Sequence, residues 1–240
     1  MRILLIIPAY NEEKNILSVY RSIVKYNEEH QTNYDVIVIN DCSKDSTSEI
    51  LNMNNIPHID LIHNLGIGGA VQTGYKYALA HGYDIAVQYD GDGQHDINYV
   101  KNIILPICDG KADFVIGSRF IDDKTSSFKS SIFRRAGITL ISVLIKLVTG
   151  KTVKDTTSGF RAVNKTIIQL FSESYPVEYP EPITTTELLR KNFILEEVPV
   201  AMHERTGGKS SITPFKSFYY MINVILNILV VRFRRYPHAR

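Results

Sequence analysis

The stretch Ile85-Ala86-Val87-Gln88-Tyr89-Asp90-Gly91-Asp92-Gly93-Gln94-His95 decides how the rest of the chain is read. Its first five residues form a mostly apolar run of strand length, and the run delivers two carboxylates and an amide at its end. Alternation along an extended backbone sends residues i, i+2 and i+4 to one side. If the extension continues past Tyr89, Asp90, Asp92 and Gln94 converge on one point. Three hard oxygen donors suit Mg2+ or Mn2+. Mg2+ usually completes its octahedron with water and substrate phosphates, so this thin ligand set points to a phosphate-bearing substrate. Asp and Gly also abound in plain turns, so the pattern draws its meaning from its surroundings.

Upstream and downstream, the runs Ile3-Ile7, Asp35-Ile39, His58-Ile62 and Phe114-Ile116 repeat the same texture, separated by longer helical stretches. Strands apolar on both faces and spaced by helices imply right-handed crossovers and a mostly parallel sheet flanked by helices, an α/β fold. In such sheets ligands sit beyond the carboxyl ends of the strands. Here those ends carry Pro8-Ala9-Tyr10-Asn11-Glu12, Asn40-Asp41-Cys42-Ser43, Asn64-Leu65-Gly66 and Asp90-Gly91-Asp92, so the polar signatures fall on one rim.

After residue 117 the texture changes. A helix over 131–149 carries Arg135, Thr139, Ser142 and Lys146 as one polar stripe on an otherwise apolar cylinder, and Lys216, Tyr220, Asn223 and Asn227 repeat the offsets in the last helix. A buried core helix explains the first equally well. For the last helix a chain terminus is a poor core position, and Arg232-Phe233-Arg234-Arg235 follows at once. Its apolar run falls short of the roughly 20 residues a membrane span needs, so the expectation is a helix lying in a membrane interface, with an oligomer contact as the alternative. The organisation expected is one large unit over 1–213, an α/β half over 1–117 and a second half over 118–213, followed by a basic amphipathic helix over 214–240.

The 240 residues, 44% hydrophobic, suffice for a real core. A net charge of +2 is too small to argue for a nucleic-acid partner. Its basic residues nonetheless crowd the C-terminal end, where phosphate groups or an anionic membrane surface would meet them. Cys42 and Cys108 have no metal-like spacing and imply no disulfide framework, which fits a reducing cytosol. The apolar N-terminus is too short for a signal peptide and reads as the first strand.

Gly66-x-Gly68-Gly69 follows the third strand and places Val71 at the third glycine position, so it does not match a dinucleotide fingerprint. A glycine turn that lets a sugar nucleotide approach the backbone is the expectation, with Asn64 and Gly69 at the contact.

Taken together, Ile7-Pro8-Ala9-Tyr10-Asn11-Glu12-Glu13, Asn40-Asp41-Cys42-Ser43-Lys44-Asp45-Ser46-Thr47, Asn64-Leu65-Gly66, Asp90 to His95, Gly117-Ser118-Arg119-Phe120, Asp155-Thr156-Thr157-Ser158-Gly159-Phe160-Arg161 and Glu197-Val198-Pro199-Val200 resemble family 2 glycosyltransferases of the GT-A fold. The resemblance is closest to the branch of dolichyl-phosphate mannose synthase and bacterial polyprenyl-phosphate glycosyltransferases. It implies inverting transfer of a sugar from a UDP-linked donor such as UDP-glucose or UDP-N-acetylglucosamine to undecaprenyl phosphate, for cell-surface glycans, with Mg2+ or Mn2+. Pro8, Tyr10, Glu12, Asp41 and Asp90 would hold the nucleotide, and Asp90, Asp92 and Gln94 the metal. Arg205 and Lys209 would close on the donor diphosphate, and Arg119 and Arg134 would meet the acceptor phosphate. Asp92, Arg119 and Asp155 are the catalytic candidates.

Bland readings stand beside these. Arg119 would pair with a nearby carboxylate, Arg134 would be a membrane-surface charge, Asp155 would anchor Arg161 or cap a turn, and Glu181 would be a loop residue instead of a sugar contact. Asn40 stands where the family often has the first of two acids, and Cys42 where it commonly has glycine. Ile138 stands where the eukaryotic type has a serine. Longer members continue into membrane spans, so attachment here is expected at the cytoplasmic face of the cell membrane, through interfacial helices, a small multi-helix membrane protein or a homo-oligomer. A transferase that elongates a glycan and a noncatalytic nucleotide-sugar binding module are the competing readings.

Overall fold

A computed structural model describes residues 1–121, 132–202 and 214–234, with the side chains of 132–134 and 214–218 left undescribed. Strands β1 (Ile3–Ala9), β2 (Tyr34–Asn40), β3 (His58–Asp60), β4 (Ile85–Gln88), β5 (Phe114–Ser118), β6 (Arg161–Asn164) and β7 (Leu195–Pro199) form one sheet in the order β3-β2-β1-β4-β6-β5-β7. Helices α1 (Ile16–His30), α2 (Thr47–Met53), α3 (Gly66–Ala80), α4 (Val100–Cys108), α5 (Ile132–Thr149), α6 (Lys165–Glu173), α7 (Pro180–Arg190) and α8 (Pro214–Phe233) surround it.

Period-two alternation explains why both faces are covered. Along β1, Leu4 and Ile6 join the core beneath α3, α5, α6 and α8, while Leu5 and Ile7 join the core beneath α1 and α4. Each set belongs to a separate cluster, so a shift of β1 by one residue would exchange the two cores.

Successive connections from β1 lead outward to β2 and then β3 on one side, and to β4 on the other. The order reverses between β1 and β4, and Pro8 and Asp90 emerge at the carboxyl ends of these two strands, the place where such sheets bind ligands.

The expected parallel sheet holds for β1 to β4 and for β5 with β7. Between them lies β6, which is antiparallel to both β4 and β5, and neither β6 nor β7 was among the expected strands. The four residues of β6, Arg161-Ala162-Val163-Asn164, begin and end in polar side chains and leave too short an apolar run to signal a strand. Its consequence is local: Gln88 stands opposite Arg161, which brings the segment before β6 over the end of β4.

The last helix takes part in the core, against the reading that a chain terminus is a poor core position. α8 packs on α5 and α7, and Val224, Ile228 and Val231 are buried, with Val224 and Ile228 inside the main core cluster. Each buried side chain of this size stabilises by roughly 1.5–3 kcal/mol, which offsets the cost of ordering a terminal helix. Its polar stripe also turns inward: Asn223 Nδ2 donates to Glu178 Oε2 at 2.9 Å, and the Tyr220 ring meets Tyr179 edge-on. In α5, Ser142 donates to the Val153 carbonyl while Ile138, Ile141, Ile145 and Val148 are buried. Both helices keep an outward apolar face, formed by Leu140, Val143 and Leu147 on α5 and by Ile222, Leu226, Val230 and Phe233 on α8. Among the described residues no helix is long and apolar enough to cross a membrane.

Candidate active site

Three rim loops are stitched together by short polar side chains. From the loop after β1, Asn11 N–H donates to Ser43 Oγ, Asn11 Oδ1 accepts from Lys44 N–H, and Glu12 N–H donates to Thr47 Oγ1 at 2.9 Å. Asp41 N–H donates to the Ala9 carbonyl at 2.8 Å, and Asp41 Oδ1 accepts from Leu65 N–H at 2.7 Å, so one carboxylate links the ends of β1 and β2 to the start of α3. Asn64 Nδ2 completes the link by donating to the Asp41 carbonyl. Asp41 and Glu12 are buried and Tyr10 is exposed, so the structure brings Pro8, Tyr10, Glu12, Asp41 and Asn64 to one rim.

Asn40, standing where the resemblance expects an acid, donates to Asp60 Oδ1 at 2.6 Å and accepts from Ser43 N–H. An acid at 40 would set two carboxylates against each other. Cys42 takes φ 58°, the left-handed conformation that glycine adopts without strain.

The glycine turn is closely packed by its own chain. A Cβ on Gly68 would lie 2.0 Å from the Pro176 carbonyl oxygen, and one on Gly69 would lie 2.4 Å from Leu65 Cβ. These glycines admit neighbouring protein, with Gly68 N–H donating to the Val177 carbonyl. Close packing thus accounts for Gly68 and Gly69, while Gly66 opens the helix at φ 74° with open space where a Cβ would stand.

The acidic motif is a turn and not an extension of β4. Asp92 Oδ1 accepts from Gln94 N–H at 3.0 Å, and Gly93 has φ 79°. Asp90, Asp92 and Gln94 therefore sit around a tight bend beside Pro8, whose carbonyl would lie 3.2 Å from a Cβ on Gly91. Over Asp90 lies Gly159: a Cβ there would come within 3.2 Å of both carboxylate oxygens and of Gln88 Nε2. His95 Nε2 is 3.0 Å from Asp90 Oδ2. Burial pushes the Asp90 carboxyl up, but His95, the Gln88 amide and Arg119 outweigh it and hold the group below its ordinary value. A carboxylate ready in its charged form, a second carboxylate and an amide, all hard donors, fit a divalent cation. Among the described residues no three His, Cys, Asp or Glu side chains form a cage, so such an ion would share its coordination with substrate.

Arg119 and Asp155 are bound to each other. Arg119 Nε donates to Asp155 Oδ2 and Nη2 to Oδ1, both at 2.7 Å, and Arg119 N–H reaches Oδ2 at 3.1 Å. Asp155 is fully buried, and although burial raises its pKa, the bonds from Arg119 more than reverse this and lower it. Arg119 therefore pairs with Asp155, while the alternative partner, Arg161, is held by carbonyls of Ser158 and Glu181 and by the Thr185 hydroxyl. Glu181 lies beyond it, its pKa raised by burial, with Asp90 adding to the rise against Arg161. Arg134 lies in α5 with its side chain undescribed, and Arg205 and Lys209 fall outside the described residues.

Residues 4–171 match the family described as Glycosyl transferase family 2. The chain belongs to glycosyl transferase family 2. This glycosyltransferase is 32% identical over 245 residues to the UDP-N-acetylglucosamine–dolichyl-phosphate N-acetylglucosaminyltransferase of Methanococcus voltae, an alignment covering 92% of this chain and 94% of that one. It is 28% identical to the undecaprenyl-phosphate mannosyltransferase of Micrococcus luteus, across 89% of this chain and 88% of the other. Its fold matches the crystal structure of glucosyl-3-phosphoglycerate synthase from Mycobacterium tuberculosis with a TM-score of 0.71 at 19% identity, covering 98% of this chain and 80% of that one.

Three residues of this glycosyltransferase's site carried no role in the sequence: Gln88, His95 and Arg161. Gln88 had a signal, since a polar side chain inside the apolar run of β4 is buried and its Oε1 lacks a partner among the described residues. Arg161 stands in the sequence only as a possible partner of Asp155, because its actual partners are carbonyls and hydroxyls from two separate segments, 156–158 and 181–185.

Proposed function

We propose that this family 2 glycosyltransferase transfers a sugar from a UDP-linked donor to the phosphate of a polyprenyl phosphate, with inversion and with a divalent cation at the acidic turn. The observation that carries the acceptor assignment is the state of Asp155. This catalytic candidate is locked in a buried bidentate pair, which does not leave its carboxylate available as a base. A phosphate monoester needs no base, being already anionic near neutrality with a second pKa of about 6. The names of the two relatives point the same way, since both act on polyprenyl phosphates. The archaeal relative uses UDP-N-acetylglucosamine, which supports a UDP-linked donor.

Asp90, Asp92 and Gln94 would hold Mg2+ or Mn2+, which when bound neutralises charge on the departing diphosphate. The glucosyl-3-phosphoglycerate synthase was crystallised with Mn2+ and UDP. Pro8, Tyr10, Glu12, Asp41 and Asn64 would frame base and ribose. Arg205 and Lys209 would meet the diphosphate. Arg134, and Arg119 with Asp155 fixing its direction, would orient the acceptor phosphate, a matter of proximity and bidentate geometry.

Attachment to the cytoplasmic face of the membrane would use the outward faces of α5 and α8. Leu147 and Phe233 are 73% and 79% exposed, at the edge of an apolar surface that continues through Leu226 and Val230. Arg232 and Arg234 are exposed at the end of α8, and each basic side chain near an anionic leaflet adds on the order of 1 kcal/mol.

A second reading, transfer to a sugar hydroxyl, is favoured by one observation: the raised pKa of Glu181 beside Asp90 would suit a general base. Transfer of labelled sugar from a panel of UDP- and GDP-sugars to undecaprenyl phosphate, with Mg2+ or with EDTA, separates the two. Metal-dependent label in the lipid phase is expected. Label that appears only with a saccharide acceptor, and that Glu181→Gln reduces by about 100-fold or more, would establish the second reading.

A further inference from the structure

His95 closes the acidic motif, and its surroundings are unusual for an imidazole. The side chain is 2% exposed. Its ring stacks on Phe160 with centroids 4.6 Å apart and an interplanar angle of 18°, and Tyr89 meets it edge-on at 5.5 Å. The backbone is pinned as well: the His95 carbonyl accepts from the Tyr89 hydroxyl at 2.6 Å, and His95 forms an isolated antiparallel bridge with Met202. Neither ring nitrogen has an aligned hydrogen-bond partner among the described residues, yet Nε2 stands 3.0 Å from Asp90 Oδ2.

Packing alone does not account for this side chain. A buried polar atom without a good partner costs roughly 1–3 kcal/mol, and a phenylalanine would make the same ring contacts without that penalty. Phe160 and Gly159 are consecutive, and while Phe160 clamps the imidazole, Gly159 covers Asp90. Imidazole and carboxylate are thus fixed by one short segment, and the ring nitrogen blocks one side of Oδ2.

We propose that His95 is a positioning residue: clamped between Phe160 and Tyr89, it fixes the direction in which the Asp90 carboxylate is presented to a divalent cation. This inference rests on the assignment of the cation to Asp90, Asp92 and Gln94. Residues that orient a metal-binding carboxylate typically change metal affinity by about 10–100-fold when removed.

The test titrates Mn2+ into the purified full chain, alone and with UDP or GDP, and counts free Mn2+ by its EPR signal while thermal unfolding is followed on the same samples. His95→Phe is expected to unfold at the wild-type temperature or above it, and to bind Mn2+ about 10-fold or more weakly. His95→Gln, whose terminal amide falls close to the place of Nε2, should restore most of the affinity. If the phenylalanine variant does not fold, His95→Asn, whose amide stops short of Asp90, takes its place with the same expected loss. Wild-type Mn2+ affinity in a folded His95→Phe or His95→Asn variant overturns the inference and leaves the metal assignment standing. No Mn2+ binding by the wild-type chain under any of these conditions overturns the metal assignment, and the inference with it.

Discussion

At the rim, main-chain groups and short polar side chains stitch the loops after β1, β2 and β3 together at 2.7 to 3.1 Å. The layer of α5, α7 and α8 is instead held by aliphatic side chains from one face of each helix, and α5 and α8 leave another apolar face exposed. Hydrogen bonds are directional, so the rim presents its carboxylates in one arrangement. Apolar contact is not directional, and a helix with two apolar faces can keep its fold while lending the second face to something else. On the proposed function, chemistry would be concentrated where geometry is fixed, and attachment where it is not.

The sharpest way to break this contrast is Asp92→Ala. The turn hydrogen bond that its side chain accepts from Gln94 N–H is local to the rim, so unfolding should shift little. Sugar transfer should fall by at least about 100-fold, read as labelled product per minute. Unchanged transfer would remove the acidic turn from the chemistry.

Next in size comes the buried pair behind the rim. Asp155→Asn should cost about 3–5 kcal/mol in urea unfolding at neutral pH, because Arg119 is left buried and uncompensated. The sign with pH follows from the lowered folded-state pKa of Asp155. Its contribution is complete above the ordinary carboxylate value of 3.8 and is lost as pH falls through the lower folded value. Wild-type stability should therefore decline on acidification more steeply than that of the variant. Parallel curves would show that the pair contributes nothing through ionisation.

The two faces of α8 sharpen the comparison inside one helix. Ile228→Ala should cost about 2–5 kcal/mol, with membrane attachment intact once the protein is folded. Leu226→Glu combined with Phe233→Glu should leave stability within about 0.5 kcal/mol and abolish co-sedimentation with anionic vesicles. If the double variant still sediments with vesicles but changes its mass in solution, the outer face contacts another copy of the chain.

The smallest effect belongs to Cys42→Gly. Relief of the left-handed backbone, about 1–2 kcal/mol, is partly offset by the roughly 0.5–1 kcal/mol that glycine's freedom costs. The net expectation is a gain of about 0.5–1 kcal/mol in the urea midpoint series, and a loss would show that the Cys42 Sγ contact with the Ile62 carbonyl matters more than the strain.

Much of the rim was legible because strand periodicity is a local signal and the polar residues at strand ends are contiguous with it. Ile85 to Tyr89 announced a buried strand, and Pro8, Asp41 and Asp90 fell beside one another once the order of strands reversed at β1 and β4. What escaped depends on contacts distant in sequence. The Arg119–Asp155 pair closes over 36 residues, the clasp of Arg161 joins it to Thr185 across 24, and the stack of His95 on Phe160 has no sequence pattern at all. The bend at Gly93 escaped for the opposite reason: a run of Asp and Gly is compatible with both strand and turn, and the turn won through the Asp92 to Gln94 hydrogen bond. The core face of α8 is not legible because its apolar residues lie on more than one face, and periodicity does not say which of them is buried.

The central claim is that the nucleophile is an oxygen already charged when it arrives, so that Asp155 serves in orientation and not as a base. The most direct measurement offers the enzyme a polyprenyl phosphate and the corresponding polyprenol, with the same chain and the same nucleotide-sugar, and follows labelled sugar into lipid. The account predicts transfer to the phosphate and none to the alcohol. Transfer to the alcohol at a comparable rate would contradict it, since a hydroxyl acceptor requires a base, and with Asp155 held by Arg119 that role would fall to Glu181.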